Sequence, residues 1–188
     1  MHSKVGVIGY GEVGKIFASG LKPMPGVAAV AAWDLKFSQP NAGLAHVEHA
    51  QKASVFVADG MAGLCARADF LISAVTASNT LAVAEEAARH LQPGTLFLDL
   101  NSASPGTKQA AAAAIEAAGG FYVEAGVMTS IPPKRIKVPL LLGGAGAETL
   151  APLLVQLGFD AKVASRELGV ASAVIRARAR GRIVILPR

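Results

Sequence analysis

Three glycines near the start of the chain, Gly9, Gly11 and Gly14, stand at the spacing G-x-G-x-x-G within "VIGYGEVG". Spacing alone says little, because glycine is common here. The flanks add meaning. An apolar run, Val5–Ile8, precedes the glycines, and Glu12–Leu21 follows with Val13, Ile16 and Phe17 on one helical face. Strand, glycine loop and helix together make a site for a pyrophosphate. Gly9 permits a tight turn, Gly11 lets backbone approach phosphate, and Gly14 lets the helix pack close to the strand. The helix start adds unpaired N–H groups and a positive dipole end. Tyr10, Glu12 and Val13 fill the loop and belong to the same expected site. The plainer alternative is a strand–turn–helix with incidental glycines.

Asp34 ends a second apolar run, Val27–Trp33, twenty residues beyond Gly14. A carboxylate there meets the hydroxyls of an adenosine ribose and repels a 2′-phosphate. The expected cofactor is NAD in preference to NADP. Lys36, two residues on, weakens that exclusion.

The stretch "DLNSASPGTKQ" starts at the end of another apolar run, where open α/β sheets hold ligands. Ser104 reads as the cap of a helix that starts at Pro105 and ends before Gly119. Asn101 and Ser102 have no capping task and are candidates for holding a ligand. Thr76, Ser78 and Asn79 follow the run ending at Val75; one of them caps the next helix, or they serve the site. His46 and His49 share a helix face at i, i+3 but have no third ligand in the pattern, so a solvated face is expected. Cys65 is expected in the core.

These residues need elements to position them. Apolar runs at 5–8, 27–33, 55–57, 70–75, 95–100, 121–127 and 138–144 alternate with helical stretches at 12–21, 42–53, 78–91, 105–118 and 148–157. Asp59 is placed to cap a short helix through Ala66. The alternation predicts βαβ units. The strands are apolar throughout, as a sheet covered on both faces requires. The expected fold is α/β, a doubly wound mostly parallel sheet of the Rossmann dinucleotide-binding type. The segment "TSIPPKRIKVP" reads as a loop.

The chain has 188 residues, a net charge of +5 and one cysteine. Five arginines and no acid follow Val170, so residues 1–169 hold 13 basic against 13 acidic residues. A balanced body argues against a nucleic-acid surface. No uncharged apolar run is long enough for a bilayer, the N-terminus leaves no room for a signal peptide, and one cysteine excludes an internal disulfide. A cytoplasmic protein with no membrane and no nucleic-acid partner is expected. The expected division is a dinucleotide-binding domain over 1–169 and a basic tail over 170–188, helical from Val170 to Arg180 and then an apolar strand "IVIL".

From about Lys4 to Ala173 the chain resembles the β-hydroxyacid dehydrogenase family, which includes 3-hydroxyisobutyrate and 6-phosphogluconate dehydrogenases. The resemblance rests on "GVIGYGEVG", on "DLNSASP" at the family's D-x-S-T-x-x-P, and on "VEAGVMTS" at its D-A-P-V-S-G-G. It is closest to a branch whose middle motif reads D-x-N-S. The resemblance implies that Gly9 to Gly14 bind the pyrophosphate and Asp34 the ribose. It places Val75 and Thr76 near the nicotinamide ribose, and Asn101 and Ser102 on a small hydroxy-acid substrate. It also implies a homodimer for the full-length family. Asn101 stands where most of the family has serine, and Met128, Thr129 and Ser130 stand at its S-G-G. The family's catalytic lysine is missing: no lysine follows Lys162, and Ile175 and Arg176 lie near its place. Arginine keeps its proton near neutrality and cannot substitute. The expectation is a dehydrogenase-like protein inactive at this length, its tail the product of a shifted reading frame. The alternatives are a cloning artefact, a non-catalytic dinucleotide-binding domain, or an NAD sensor whose basic tail binds acidic surfaces.

Overall fold

A computed structural model describes residues 3–40 and 42–179. Eight strands form one sheet in the order β3-β2-β1-β4-β5-β6-β7-β8. They are β1 (Ser3–Ile8), β2 (Val27–Trp33), β3 (Phe56–Val57), β4 (Phe70–Ser73), β5 (Leu96–Asp99), β6 (Phe121–Val127), β7 (Pro139–Gly143) and β8 (Asp160–Ser165). All neighbours are parallel except β6 and β7. The chain winds outward from β1 to β3, then returns to place β4 on the other side of β1. That reversal opens a crevice at the carboxyl ends of β1 and β4.

The helices are α1 (Glu12–Leu21), α2 (Ala42–Lys52), α3 (Met61–Cys65), α4 (Thr80–Ala88), α5 (Pro105–Ala117), α6 (Ile131–Lys134), α7 (Ala147–Gln156) and α8 (Val170–Ala179). Successive strand residues feed opposite faces. Val5, Val7, Phe70 and Ile72 pack with Phe17 and Leu21 of α1 and Leu150 and Leu154 of α7. Ile8, Leu71 and Phe97 pack with Leu64 of α3, Val83 and Ala84 of α4, and Ile115 of α5. The alanines of α4 and α5 (Ala84, Ala87, Ala111, Ala112) are buried, so those helices lie close to each other and to the sheet.

Ser104 caps α5 as expected: its Oγ accepts from Thr107 N at 3.2 Å, with Pro105 in the first turn. Gly119, at φ +83°, ends that helix.

Other boundaries differ from the sequence reading. Neither Thr76 nor Asn79 makes a side-chain cap; a 3-10 turn, Ala77–Asn79, precedes α4, and Thr76 Oγ1 pairs with Ser78 Oγ at 3.1 Å. Asp59 does not cap α3, which starts after Gly60 without a side-chain cap. The expected loop contains α6 and a 3-10 turn, Arg135–Lys137. β8 was absent from the sequence reading, because "DAKVAS" mixes exposed Asp160 and Lys162 with a buried Ala161, as a sheet edge allows.

α8 starts at the expected Val170 and rests on β6, β7 and β8, with Ala171 and Val174 packed on Leu141. Arg180 and "IVIL" lie outside the described residues. No helix among the described residues is long and apolar enough to cross a membrane.

Candidate functional site

The glycine loop leaves β1 and enters α1. Gly9 lies at φ +89°, and a Cβ there would come within 2.5 Å of the Ala74 carbonyl oxygen, so turn and close approach both demand glycine. A Cβ on Gly14 would strike the Gly9 carbonyl. Gly11 faces open space: beyond its own chain neighbours, no described atom lies within 4 Å of where its Cβ would be. Each glycine thus has the surroundings its place in the motif requires. The carboxylate of Asp34 accepts from Tyr10 N at 2.6 Å and from Lys36 N at 2.8 Å. It ties the loop after β1 to the end of β2.

Tyr10 turns its side chain away from the crevice. The ring is fully buried against Phe37, and the hydroxyl pairs with His49 Nδ1 at 3.1 Å. Burial raises the Tyr10 phenol to about 12. His49 is held below its usual value, first by burial and then by Lys15, His46 and Lys52. Glu12 is exposed in the first turn of α1, and Val13 faces the crevice.

Beyond the glycine loop runs a cleft of about 500 Å3. One wall is Val75, Thr76 and Ala77, after β4, and another is Asn101 and Ser102, after β5. Thr129, Ser130 and Ile131, after β6, close the third. The structure therefore brings Val13, Val75, Thr76, Asn101 and Ser102 to one cleft, with Gly9 to Gly14 and Asp34 at the neighbouring strand ends. Lys36 is exposed beyond Asp34, and Asn79 does not line the cleft.

Asn101 is 4% exposed and acts as a staple. Its Oδ1 accepts from Val75 N at 2.7 Å and its Nδ2 donates to Ser73 Oγ at 2.9 Å. Its own N–H donates to Asp99 Oδ1 at 2.7 Å. Serine could not span both contacts, which gives the asparagine a physical reason.

Beneath Asn101 lies an ionic network that the sequence reading did not pick out. Asp99 and Lys108 are buried, with Lys108 Nζ 3.6 Å from Asp99 Oδ2. The Tyr122 hydroxyl donates to the same carboxylate oxygen. Burial, then Asp99 and Glu124, push the Tyr122 phenol far above its usual range. Glu124 is the register partner of Asp99 on β6 and is fully buried. Its Oε1 accepts from Gly169 N at 2.7 Å and Ala171 N at 3.1 Å, and its Oε2 accepts from Ser172 Oγ at 2.9 Å. The positive end of the α8 dipole offsets this carboxylate. The visible signal was an acid inside each of two apolar runs, "TLFLDL" and "FYVEAGV".

Among the described residues no group of three or more His, Cys, Asp or Glu could hold a metal. Cys65 is buried, and its thiol is raised to about 11 by burial and Glu86. It is a core residue, as expected.

Residues 4–160 match the family model for the NAD binding domain of 6-phosphogluconate dehydrogenase. No curated protein sequence matches the chain. Among solved structures, a conserved hypothetical protein from Sinorhizobium meliloti 1021 aligns with a TM-score of 0.89 at 37% identity, covering 95% of this chain and 59% of that one. A conserved protein of unknown function, reported as structurally similar to 3-hydroxyacid dehydrogenases, gives 0.78 at 31% identity over 93% of this chain and 62% of that one. An imine reductase from Myxococcus stipitatus in complex with NADP+ gives 0.75 at 24% identity, covering 95% and 60% of the two chains. Its V8 variant in complex with NAD+ gives 0.77 at 22% identity, covering 96% and 61%. At those last identities the likeness is one of fold. The chain spans 59–62% of the length of these structures.

Proposed function

Because the chain belongs to the family of the NAD-binding domain of 6-phosphogluconate dehydrogenase, we propose that its cleft holds a nicotinamide dinucleotide, NAD in preference to NADP. In this reading it is the cofactor-binding part of an oxidoreductase for a β-hydroxyacid-type substrate. The observation that carries the reading is the continuity of the site. The open backbone at Gly11, the Asp34 carboxylate and the Asn101–Ser102 loop follow one another along the carboxyl ends of β2, β1, β4 and β5.

The residues present fit the dinucleotide. Gly11 leaves space over the start of α1 for phosphate oxygens. Asp34 keeps lone pairs for ribose hydroxyls after accepting its two backbone bonds. Val75 and Thr76 flank the place for the nicotinamide ribose, and Asn101 and Ser102 orient the substrate. When bound, the nicotinamide supplies the hydride acceptor or donor.

Among the described residues, no ionisable side chain lines the cleft. The lining groups are hydroxyls, one amide and apolar groups, which position a substrate but do not take up the proton released with a hydride. These residues therefore bind and orient, and a general acid or base must come from elsewhere. The same absence favours the second reading, a dinucleotide-binding domain without turnover.

Calorimetric titration with NADH and NADPH tests the cofactor assignment. NADH is expected to bind more tightly, and equal or tighter NADPH binding would refute the ribose role of Asp34. Steady-state assay of NADH formation over a panel of hydroxy acids should stay at background for the 188-residue chain. Saturable turnover would overturn the expectation of inactivity.

A further inference from the structure

A small recess of about 80 Å3 opens off the cleft on the side away from the glycine loop. Asn101, Ser102 and Ser172 are its polar lining, and Leu100 and Val127 line both recess and cleft. Ser172 comes from α8 and reaches the recess because Glu124 holds the start of that helix. The bonds from Gly169 N, Ala171 N and Ser172 Oγ to Glu124 bridge 45 to 48 residues of sequence. The fit is close: Gly143 of β7 is the register partner of Glu124, and a Cβ on Gly143 would lie 2.6 Å from Glu124 Oε1.

The polarity of this contact matters. Both backbone donors go to Oε1, and the Ser172 hydroxyl gives its only hydrogen to Oε2. What Ser172 Oγ can show the recess is lone pairs. We propose that Ser172, polarised by the buried Glu124, is a specificity-determining acceptor for a hydrogen-bond donor on the substrate. That donor is a hydroxyl or an ammonium, and Glu124 is the positioning residue behind it. The inference rests on the dehydrogenase reading of the cleft above, and it deepens that reading by naming the group the far end takes. The recess has room for a group of one or two heavy atoms, such as a hydroxymethyl or aminomethyl end. The carboxylate of a small acid does not suit Ser172, since two acceptors would face each other. It belongs with the remaining Asn101 N–H and the Ser102 hydroxyl.

Three probes of nearly equal shape separate the possibilities. β-Alanine carries a donor-only ammonium, 3-hydroxypropanoate a hydroxyl that can donate or accept, and butanoate a methyl group. Binding to the full 188-residue chain, with NADH present, is read from amide shifts in 15N–1H NMR spectra. The two polar probes are expected to bind about 10-fold more tightly than butanoate. Ser172→Ala should bring all three to the butanoate level.

Glu124→Gln gives the distinctive result. Its carbonyl oxygen keeps the two backbone bonds, and its NH2 then donates to Ser172 Oγ. The Ser172 hydrogen is released toward the recess, and Oγ, one of its two lone pairs taken by the amide, turns a donor toward the substrate. β-Alanine should lose most of its advantage over butanoate, while 3-hydroxypropanoate stays within about 3-fold of its original affinity by accepting instead. A merely structural role for Glu124 would weaken the probes alike. Absence of probe binding, equal binding of all three, no effect of Ser172→Ala, or a uniform loss in Glu124→Gln would each overturn the proposal. NADH affinity, measured by fluorescence on the same samples, should be unchanged by Ser172→Ala. Its absence from the original chain would instead refute the cofactor reading.

Discussion

At the proposed dinucleotide end of the cleft, the open surface is main chain. Gly11 bares it, Gly9 and Gly14 allow the close packing around it, and one carboxylate, Asp34, ties it to β2. At the proposed substrate end the surface is side chain, and it stands on a buried polar network: the Asn101 backbone on Asp99, Asp99 on Lys108 and Tyr122, Ser172 on Glu124. The first end depends on space and backbone geometry within one strand–loop–helix. The second depends on polar groups drawn from β4, β5, α5, β6 and α8. A substitution at Gly11 or Asp34 should alter ligand affinity more than folding. One at the second should damage folding and ligand together.

The largest effect should come from Lys108→Met. It leaves the Asp99 carboxylate buried without its cation, a loss of about 3–5 kcal/mol for a broken buried pair. The bonds from Asn101 N and Tyr122 to Asp99 keep the value near the lower limit. Denaturant midpoints at constant slope measure it. Adding Asp99→Asn to the same chain should recover part of the loss. If Lys108→Met alone is neutral, the substrate end does not rest on that pair and the contrast between the two ends collapses.

Asn101→Ala comes next. It strands the partly buried Val75 N–H and the buried Ser73 hydroxyl, at a cost of about 1–3 kcal/mol. NADH affinity should change little, because the amide is turned toward Ser73 and Val75. Thermal unfolding and NADH titration on one sample give both numbers. A large loss of NADH affinity with unchanged stability would move Asn101 into direct contact with the cofactor.

At the other end, Asp34→Asn should cost only about 1 kcal/mol of stability, the loss of one backbone bond, and lower the preference for NADH over NADPH by about 10-fold. The amide oxygen can still accept one of the two backbone bonds, from Tyr10 N or Lys36 N. Parallel titrations with the two cofactors measure the ratio. An unchanged ratio would mean that Lys36 sets the discrimination.

The same contrast explains what was legible in the sequence. The glycine loop, α1 and Asp34 could be read directly because most of their logic is local: Gly14 packs on Gly9 within the motif and Asp34 acts on the loop after the adjacent strand, and only the Ala74 carbonyl behind Gly9 is distant in sequence. Helix α5 was equally plain from Ser104, Pro105 and Gly119. Glu124 was not, because the donors that explain it are 45 to 48 residues away and two of them are backbone N–H groups. Lys108 sat in "PGTKQ" like any solvated helix residue, yet it is 1% exposed. β8 escaped because an edge strand need not be apolar on both faces. An acid in the middle of an apolar strand was the visible clue, and it pointed to a partner without naming it.

The smallest expected effect concerns His49, which sits behind the dinucleotide end. Its pKa is lowered from an ordinary 6.5, by burial first and then by Lys15, His46 and Lys52. The folded state thus resists a proton that the unfolded chain accepts. Above the unfolded value the ring is neutral in both states, and His49 costs nothing. As pH falls through that value, the unfolded state gains the proton first and stability is lost until the folded ring also titrates. The ring is partly exposed, so the slope is shallow. His49→Gln should flatten stability between about pH 7.5 and 5.5, above the range where carboxylates take up protons. The glutamine can still meet the Tyr10 hydroxyl, and NADH affinity should not change, because the loop presents backbone to the phosphates. Urea midpoints at several pH values, for both chains, measure the difference. A steeper loss in His49→Gln would mean that the protonated ring is favoured in the folded state. The Tyr10 hydroxyl would then be accepting from His49 rather than donating to it.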